Sequence, residues 1–162
     1  MMKKLSKKNI FSVVIVIFVT LFILFINAFY TEQNLQWAQS LILPYCQPPV
    51  WTFYITWIIL YILIAISAII ILNERKTQKN KCNQSIILFL ITAFLTGLYS
   101  ILFFGFKNIL FAFLELPFLL AAIILLIWCT YKVSKTAAYL LIPYLVWVAY
   151  ATVFTGLMLY VN

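Results

Sequence analysis

Few side chains in this sequence could carry out chemistry. The 162 residues contain no His, and their only acids and thiols are Glu32, Glu74, Glu115, Cys46, Cys82 and Cys129. Ser-His-Asp and Cys-His catalysis and nearly all zinc and haem-axial His sites therefore lack their parts. The cysteines are odd in number and form no CxxC pair, so we interpret them as free thiols. The sequence predicts no catalytic residue, no metal site and no required cofactor.

Glu115 differs from the other acids because it is the only ionisable side chain well inside a long apolar run. A carboxyl group within a membrane is a functional candidate by default. The alternative is that Glu115 lies near the outer interface, where it reaches water or pairs with Lys107. The residues leave both interpretations open.

Aromatic residues form two stripes with the same spacing. The stripes are Trp51, Tyr54, Trp57 and Tyr61, and then Tyr144, Trp147, Tyr150 and Phe154, each at relative offsets 0, 3, 6 and 10. At 100° per residue, each set falls on one helix face within about 120° and extends some 15 Å. Packing and interfacial-belt residues would explain any single aromatic. Two matched stripes favour a flat, aromatic-lined cavity.

A third stripe is polar in its first half. Thr92, Thr96, Tyr99 and Phe103 stand at offsets 0, 4, 7 and 11, which is one narrow helix face. Threonines in membrane helices often bond to their own helix or to a neighbour, so structural and ligand-binding roles are both open.

The elements that position these residues are membrane-spanning helices. Hydrophobic residues make up 67% of the chain, charged residues make up 9%, and the mean hydropathy is +1.13, which excludes a soluble domain. Charges and prolines cut the sequence into five runs, each near the roughly 20 residues that a span needs. Pro44, Pro48 and Pro49 end one run and start another. We predict an all-α integral membrane protein, one five-helix domain over 1–162. Its helices cover about 10–30, 49–72, 85–104, 109–131 and 136–161, and 31–48 forms an external loop.

Basic residues predict the orientation of this bundle. Ten of the eleven Lys and Arg fall before the first run or in the second and fourth connections, and only Lys107 falls on the other side. The positive-inside rule then places the N-terminus in the cytoplasm and the C-terminus outside. Because these charges flank apolar runs, we interpret them as orientation signals and not as a nucleic-acid surface.

The segment WAQSLILPYCQPPVWTFYITWIILY, which begins at Trp37, resembles the signature of the TspO/MBR family, also called translocator proteins or tryptophan-rich sensory proteins. Ten positions match in register: Trp37, Leu41, Pro44, Pro48, Pro49, Trp51, Phe53, Trp57, Leu60 and Tyr61. Phe103-Phe104, Ala112 with Glu115, and AAYLLIPYLVWVAYAT from Ala137 extend the resemblance to the end of the chain. Thr92, Thr96 and Thr155 stand where the family has amide side chains, and Tyr99 replaces a Trp.

The resemblance implies a cavity under the external loop that binds porphyrin, haem or a sterol-like molecule, in a bacterial plasma membrane. We expect the ligand-binding residues to be Trp37, Pro44, Trp51, Tyr54, Trp57, Thr92, Thr96, Tyr99, Tyr144, Trp147 and Ala151. The alternatives are a small transporter of a lipophilic substrate, with Glu115 as its handle, and an accessory membrane subunit. The resemblance also leaves open light-dependent porphyrin breakdown, an activity attributed to some members of the family.

Small residues leave two packing interpretations open. Ala151 with Thr155, Thr152 with Gly156, and Gly97 could form a homodimer face, or they could bring helices together inside one protomer.

Overall fold

The chain is described by a computed structural model over residues 7–45, 47–75 and 77–162, with side chains from residue 14 onward; Cys46 lies outside these ranges. The described residues form helices and connections, without strands. The α-helices are α1 (Lys7–Gln33), α2 (Leu35–Ser40), α3 (Val50–Glu74), α4 (Lys79–Ser100), α5 (Ile109–Tyr131), α6 (Lys135–Tyr139) and α7 (Ile142–Val161). A π-helical turn, Ile101–Gly105, continues α4. This part of the chain contains five helical segments long and apolar enough to cross a membrane, which confirms the predicted fold class.

The helix bounds differ from the sequence prediction where polar residues extend a helix beyond the bilayer. Helix α5 has the predicted bounds, whereas α4 begins at Lys79 and not at Ser85. Charges mark where a helix leaves hydrocarbon, but a helix continues through the interface because its backbone bonds need no apolar side chains. Within the predicted external loop 31–48, α1 extends to Gln33 and α2 forms a short helix.

The single helix predicted over 136–161 is divided into α6 and α7 by a turn at Leu140–Leu141. Pro143 is responsible, because it has no amide hydrogen to donate to the carbonyl of Tyr139 and it disfavours helical geometry in the residue before it. The proline sits in the first turn of α7, where the missing donor costs little.

The five spans form a ring. Helix α1 contacts α3 and α4, α3 contacts α6 and α7, and α5 packs along α4, α6 and α7. The order around the ring is therefore α1, α3, α6–α7, α5, α4, and α3 also touches α4 across it. The largest apolar core lies between α3, α5 and α7 around Leu60, Ile123 and Tyr144. Helix α1 is the least integrated, because Ile23 is its one buried residue among those whose side chains are described.

The outer surface of the ring is apolar and aromatic. Phe18, Phe94 and Phe118 are all more than 60% exposed and point away from the bundle. Such a surface would aggregate in water, but it suits lipid tails, where apolar exposure has no cost.

The two ends of the bundle are chemically different. The basic end carries the α3–α4 connection with Arg75 and the α5–α6 connection with Lys132. The loop end carries α2 and the prolines. There, Trp37 packs edge-on against Phe103 with ring centroids 5.5 Å apart. Asn162 also exchanges two hydrogen bonds with the backbone of Ile42, of 2.9 and 3.0 Å, and fastens the loop across the end of α7.

Candidate ligand cavity

A cavity of about 200 Å³ lies between α1, α3 and α4, and Tyr144 of α7 closes its inner wall. It extends from Arg75 at the basic end to Trp57, which lies seven residues after the start of α3 at the loop end. Ile15 of α1 and Leu90 of α4 line the cavity and are also exposed, from which we infer that it opens between these helices; Arg75 of the lining is exposed at the basic end. The other lining residues are Val16, Val19, Thr20, Ile23, Tyr61, Ile64, Ala68, Leu72, Ile86, Phe89, Thr92, Ala93 and Thr96.

Four of the residues expected to bind ligand line this cavity: Trp57, Thr92, Thr96 and Tyr144. The rings of Trp57 and Tyr144 meet at 61° with centroids 6.5 Å apart and form its inner end. The Thr96 and Tyr144 hydroxyls share a 2.6 Å hydrogen bond, so the polar tip of Tyr144 is satisfied. Thr92 and Thr96 also donate to backbone carbonyls of their own helix, at 3.1 and 2.8 Å. The walls therefore present mostly methyl groups and ring faces to a ligand.

The other expected ligand residues lie elsewhere. Trp51 and Tyr54 lie on the outer surface, where Trp51 is 63% exposed. Trp37 and Pro44 belong to the loop end, and Tyr99 stacks on Phe103 with centroids 5.7 Å apart. Trp147 and Ala151 lie on α7, outside the cavity lining.

The two predicted stripes do not face each other along their length, because Trp51 and Tyr54 of the first stripe lie on the outer surface and Phe53, which is outside that stripe, faces α7. Phe53 of α3 packs against Trp147 and Phe154 of α7, with centroids 5.5 and 6.0 Å apart. The aromatic residues facing each other across this interface fill it. The helical spacing of the stripes was identified from the sequence, but spacing does not specify which face of α3 is turned towards α7.

Sequence reasoning missed the wall contributed by α1. Val16, Val19 and Ile23 follow helical spacing, but nearly every residue of this run is apolar, so no face stands out. It also missed Arg75, which was interpreted only as an orientation charge.

Glu115 lies behind the cavity wall in a buried polar cluster. It is 6% exposed, and neither carboxyl oxygen has a hydrogen-bond partner among the described residues. Tyr99 and Tyr144 lie close enough to interact with it electrostatically. Tyr99 itself bonds to Thr155 at 3.0 Å. Glu115 is absent from the cavity lining, and within the described ranges no three acid or thiol side chains cluster as metal ligands.

Several small residues considered for a dimer face contact other helices of the same protomer. Thr155 is fully buried against α4, and Gly156 lies against the Phe113 ring of α5. Gly97 faces Ile23 of α1. These contacts support the intramolecular interpretation of those positions, and the homodimer stays a prediction.

The fold and its apolar surface define a multi-pass integral membrane protein. The sequence profile of the TspO/MBR family matches residues 13–161. The tryptophan-rich protein TspO of Chlorobaculum tepidum is 30% identical over 156 residues, which cover 96% of this chain and 98% of that protein. The protein of the same name in Archaeoglobus fulgidus is 35% identical and covers 89% and 92%. The tryptophan-rich sensory protein of Cereibacter sphaeroides is 27% identical and covers 75% and 72%. The chain belongs to the TspO/MBR family.

Proposed function

We propose that this protein is a membrane-embedded receptor for a flat hydrophobic ligand, foremost a tetrapyrrole, that binds in the cavity between α1, α3 and α4. Family membership and the name of the Cereibacter sphaeroides relative support a sensory or binding role. The observation that carries the proposal is the pair of rings, Trp57 and Tyr144, at the inner end of an apolar cavity. Aromatic faces stack on a planar ligand and supply affinity without metal ligation.

The cavity is smaller than the roughly 300–1,000 Å³ of most small-molecule pockets. A tetrapyrrole would therefore enter edge first, and α1 would have to move outward. Helix α1 is suited to such movement because only Ile23 among its described side chains is buried. Few buried contacts mean a low free-energy cost for displacement of an element.

Porphyrin titration of the purified protein tests this proposal, with the porphyrin absorption band as readout. Trp57→Ala should weaken protoporphyrin binding by about 1–3 kcal/mol, the usual cost of removing a large aromatic contact. Trp128→Ala is the matched control, because Trp128 is an exposed tryptophan on α5, outside the cavity. Equal effects of the two substitutions, or binding that does not saturate, would contradict the proposal.

Metal-free protoporphyrin and haem should bind with similar affinity. The chain contains no His, and the ring contributes most of the proposed contact. A comparison of the two titrations checks this expectation, and a large preference for haem would point to an iron ligand that the cavity lining does not suggest.

A further inference from the structure

The cavity has a cation at one end only. Among the described residues that line it, Arg75 alone carries a charge, and it lies at the basic end, where the cavity opens. Its Nε donates to Asn83 Oδ1 at 3.1 Å. A guanidinium carries five donor hydrogens, and this bond engages one of them. The mouth of the cavity therefore presents positive charge and hydrogen-bond donors at the level of lipid headgroups.

The cavity is long enough to hold one acyl chain. Along α4 it is lined from Ile86 to Thr96, and ten residues at 1.5 Å each span about 15 Å. The hydrocarbon core of a bilayer is about 30 Å thick, so a single acyl chain extends about 15 Å from the headgroups. Along α3 the lining extends from Arg75 to Trp57, which are 18 residues or about 27 Å apart, so an acyl chain with its headgroup at Arg75 would end before the inner rings.

The cavity walls also suit an alkyl chain. Thr20, Thr92 and Thr96 all donate to carbonyls one turn back in their own helices, so their hydroxyls do not need a polar ligand. Ile15 and Leu90, which line the cavity, are also exposed on the outer surface of α1 and α4, so an opening between them would face the bilayer. A chain could enter from the leaflet without its headgroup leaving the interface.

We propose that the cavity binds one acyl chain of an anionic lipid, which enters between α1 and α4 and places its headgroup on Arg75. This inference uses the cavity of the proposed function but not its aromatic ligand. The lipid requires the apolar channel and Arg75, whereas the tetrapyrrole requires the rings of Trp57 and Tyr144.

Native mass spectrometry of the detergent-purified full chain tests the proposal. Phosphatidylglycerol and phosphatidylcholine with identical chains are titrated separately, and palmitate is a third arm that distinguishes a free fatty acid from a phospholipid. We expect phosphatidylglycerol to bind about tenfold more tightly than phosphatidylcholine, since hydrogen bonds to charged groups contribute on that scale. Arg75→Gln should remove this preference and Arg75→Lys should retain part of it. Lys81→Gln, which changes an exposed basic residue outside the lining, should change it less than twofold.

A second pair of variants tests the channel itself. Ala93→Leu adds bulk to the cavity wall and should weaken the binding of both phospholipids at least fivefold. Ala121→Leu, on the outer face of α5, should leave their binding unchanged. Equal effects of Arg75→Gln and Lys81→Gln, or of Ala93→Leu and Ala121→Leu, would overturn the proposal. If lipid binding fails these tests while Trp57→Ala still weakens protoporphyrin binding, the receptor function stands without the lipid. If the lipid variants behave as expected but Trp57→Ala does not weaken protoporphyrin binding, the lipid site stands without the receptor function.

Discussion

Tyr144 connects two environments at the scale of single residues. Its ring lines the cavity beside Trp57, and its hydroxyl bonds to Thr96 within a buried cluster that also contains Glu115. A ligand that moves this ring would disturb the hydrogen bond behind it. The tyrosine is thus the residue through which cavity occupancy could reach the interior of α5 and α7.

Thr96→Val should destabilise the protein by about 1–3 kcal/mol, because the buried Tyr144 hydroxyl loses its partner. Thr152→Val is the matched control. Thr152 donates only to the carbonyl of Val148, one turn back in its own helix, and its replacement should change stability by less than about 0.5 kcal/mol. Thermal unfolding in one detergent measures both, and equal losses would contradict the role given to the Thr96–Tyr144 bond.

Glu115→Gln should be at least as stable as the parent protein. The carboxyl group is buried, and it has no hydrogen-bond partner among the described residues. Its desolvation therefore destabilises the folded protein without a compensating hydrogen bond from those residues. A glutamine of the same shape removes the potential charge. The same unfolding assay checks this expectation, and a loss above about 1 kcal/mol would indicate a polar partner at Glu115 that glutamine cannot satisfy.

At the scale of elements, the neighbouring helix α5 approaches Gly156 of α7 more closely than α1 approaches Gly97 of α4. A Cβ on Gly156 would lie 2.9 Å from the Phe113 ring of α5, whereas a Cβ on Gly97 would lie 3.5 Å from Ile23 Cδ1. Gly156→Ala should therefore push α7 from α5 and cost about 1–3 kcal/mol. Gly97→Ala should be neutral or stabilising, because alanine favours a helix by up to about 1 kcal/mol over glycine. Similar melting temperatures for the two variants would contradict this packing.

Sequence patterns predicted elements better than contacts between elements. The Asn108 side chain caps the first turn of α5 at 2.9 Å, and Lys132 follows its last residue, so local chemistry set both ends at the predicted residues. The turn before α7 was not predicted, because the uninterrupted apolar run favoured one helix and the effect of Pro143 was not taken into account. The interlocking of Phe53 with Trp147 could not be predicted, because the spacing of residues on one helix does not specify the position of the next helix.

At the scale of the whole molecule, the orientation in the membrane stays a prediction that rests on the basic end. Cys82 is fully buried, so native thiol labelling would be uninformative there. Gln36 and Asn80 are exposed at opposite ends of the bundle. Two variants are made, Gln36→Cys and Asn80→Cys, and each also carries Cys46→Ser. In intact cells, an impermeant thiol reagent should label Gln36→Cys and should reach Asn80→Cys only after permeabilisation. The opposite pattern would invert the topology.

The sideways opening of the cavity determines what sets its occupancy. A ligand that enters between α1 and α4 comes from a two-dimensional solution, the leaflet, and the protein responds to the mole fraction of ligand among lipids. Hydrophobic molecules partition strongly into bilayers, so their aqueous concentration is a poor measure of what the cavity encounters. At fixed amounts of reconstituted protein and protoporphyrin, added empty vesicles should dilute the ligand and empty the cavity in proportion to total lipid. Protoporphyrin saturation curves measured at different total lipid concentrations should then coincide when they are plotted against the mole ratio of protoporphyrin to lipid.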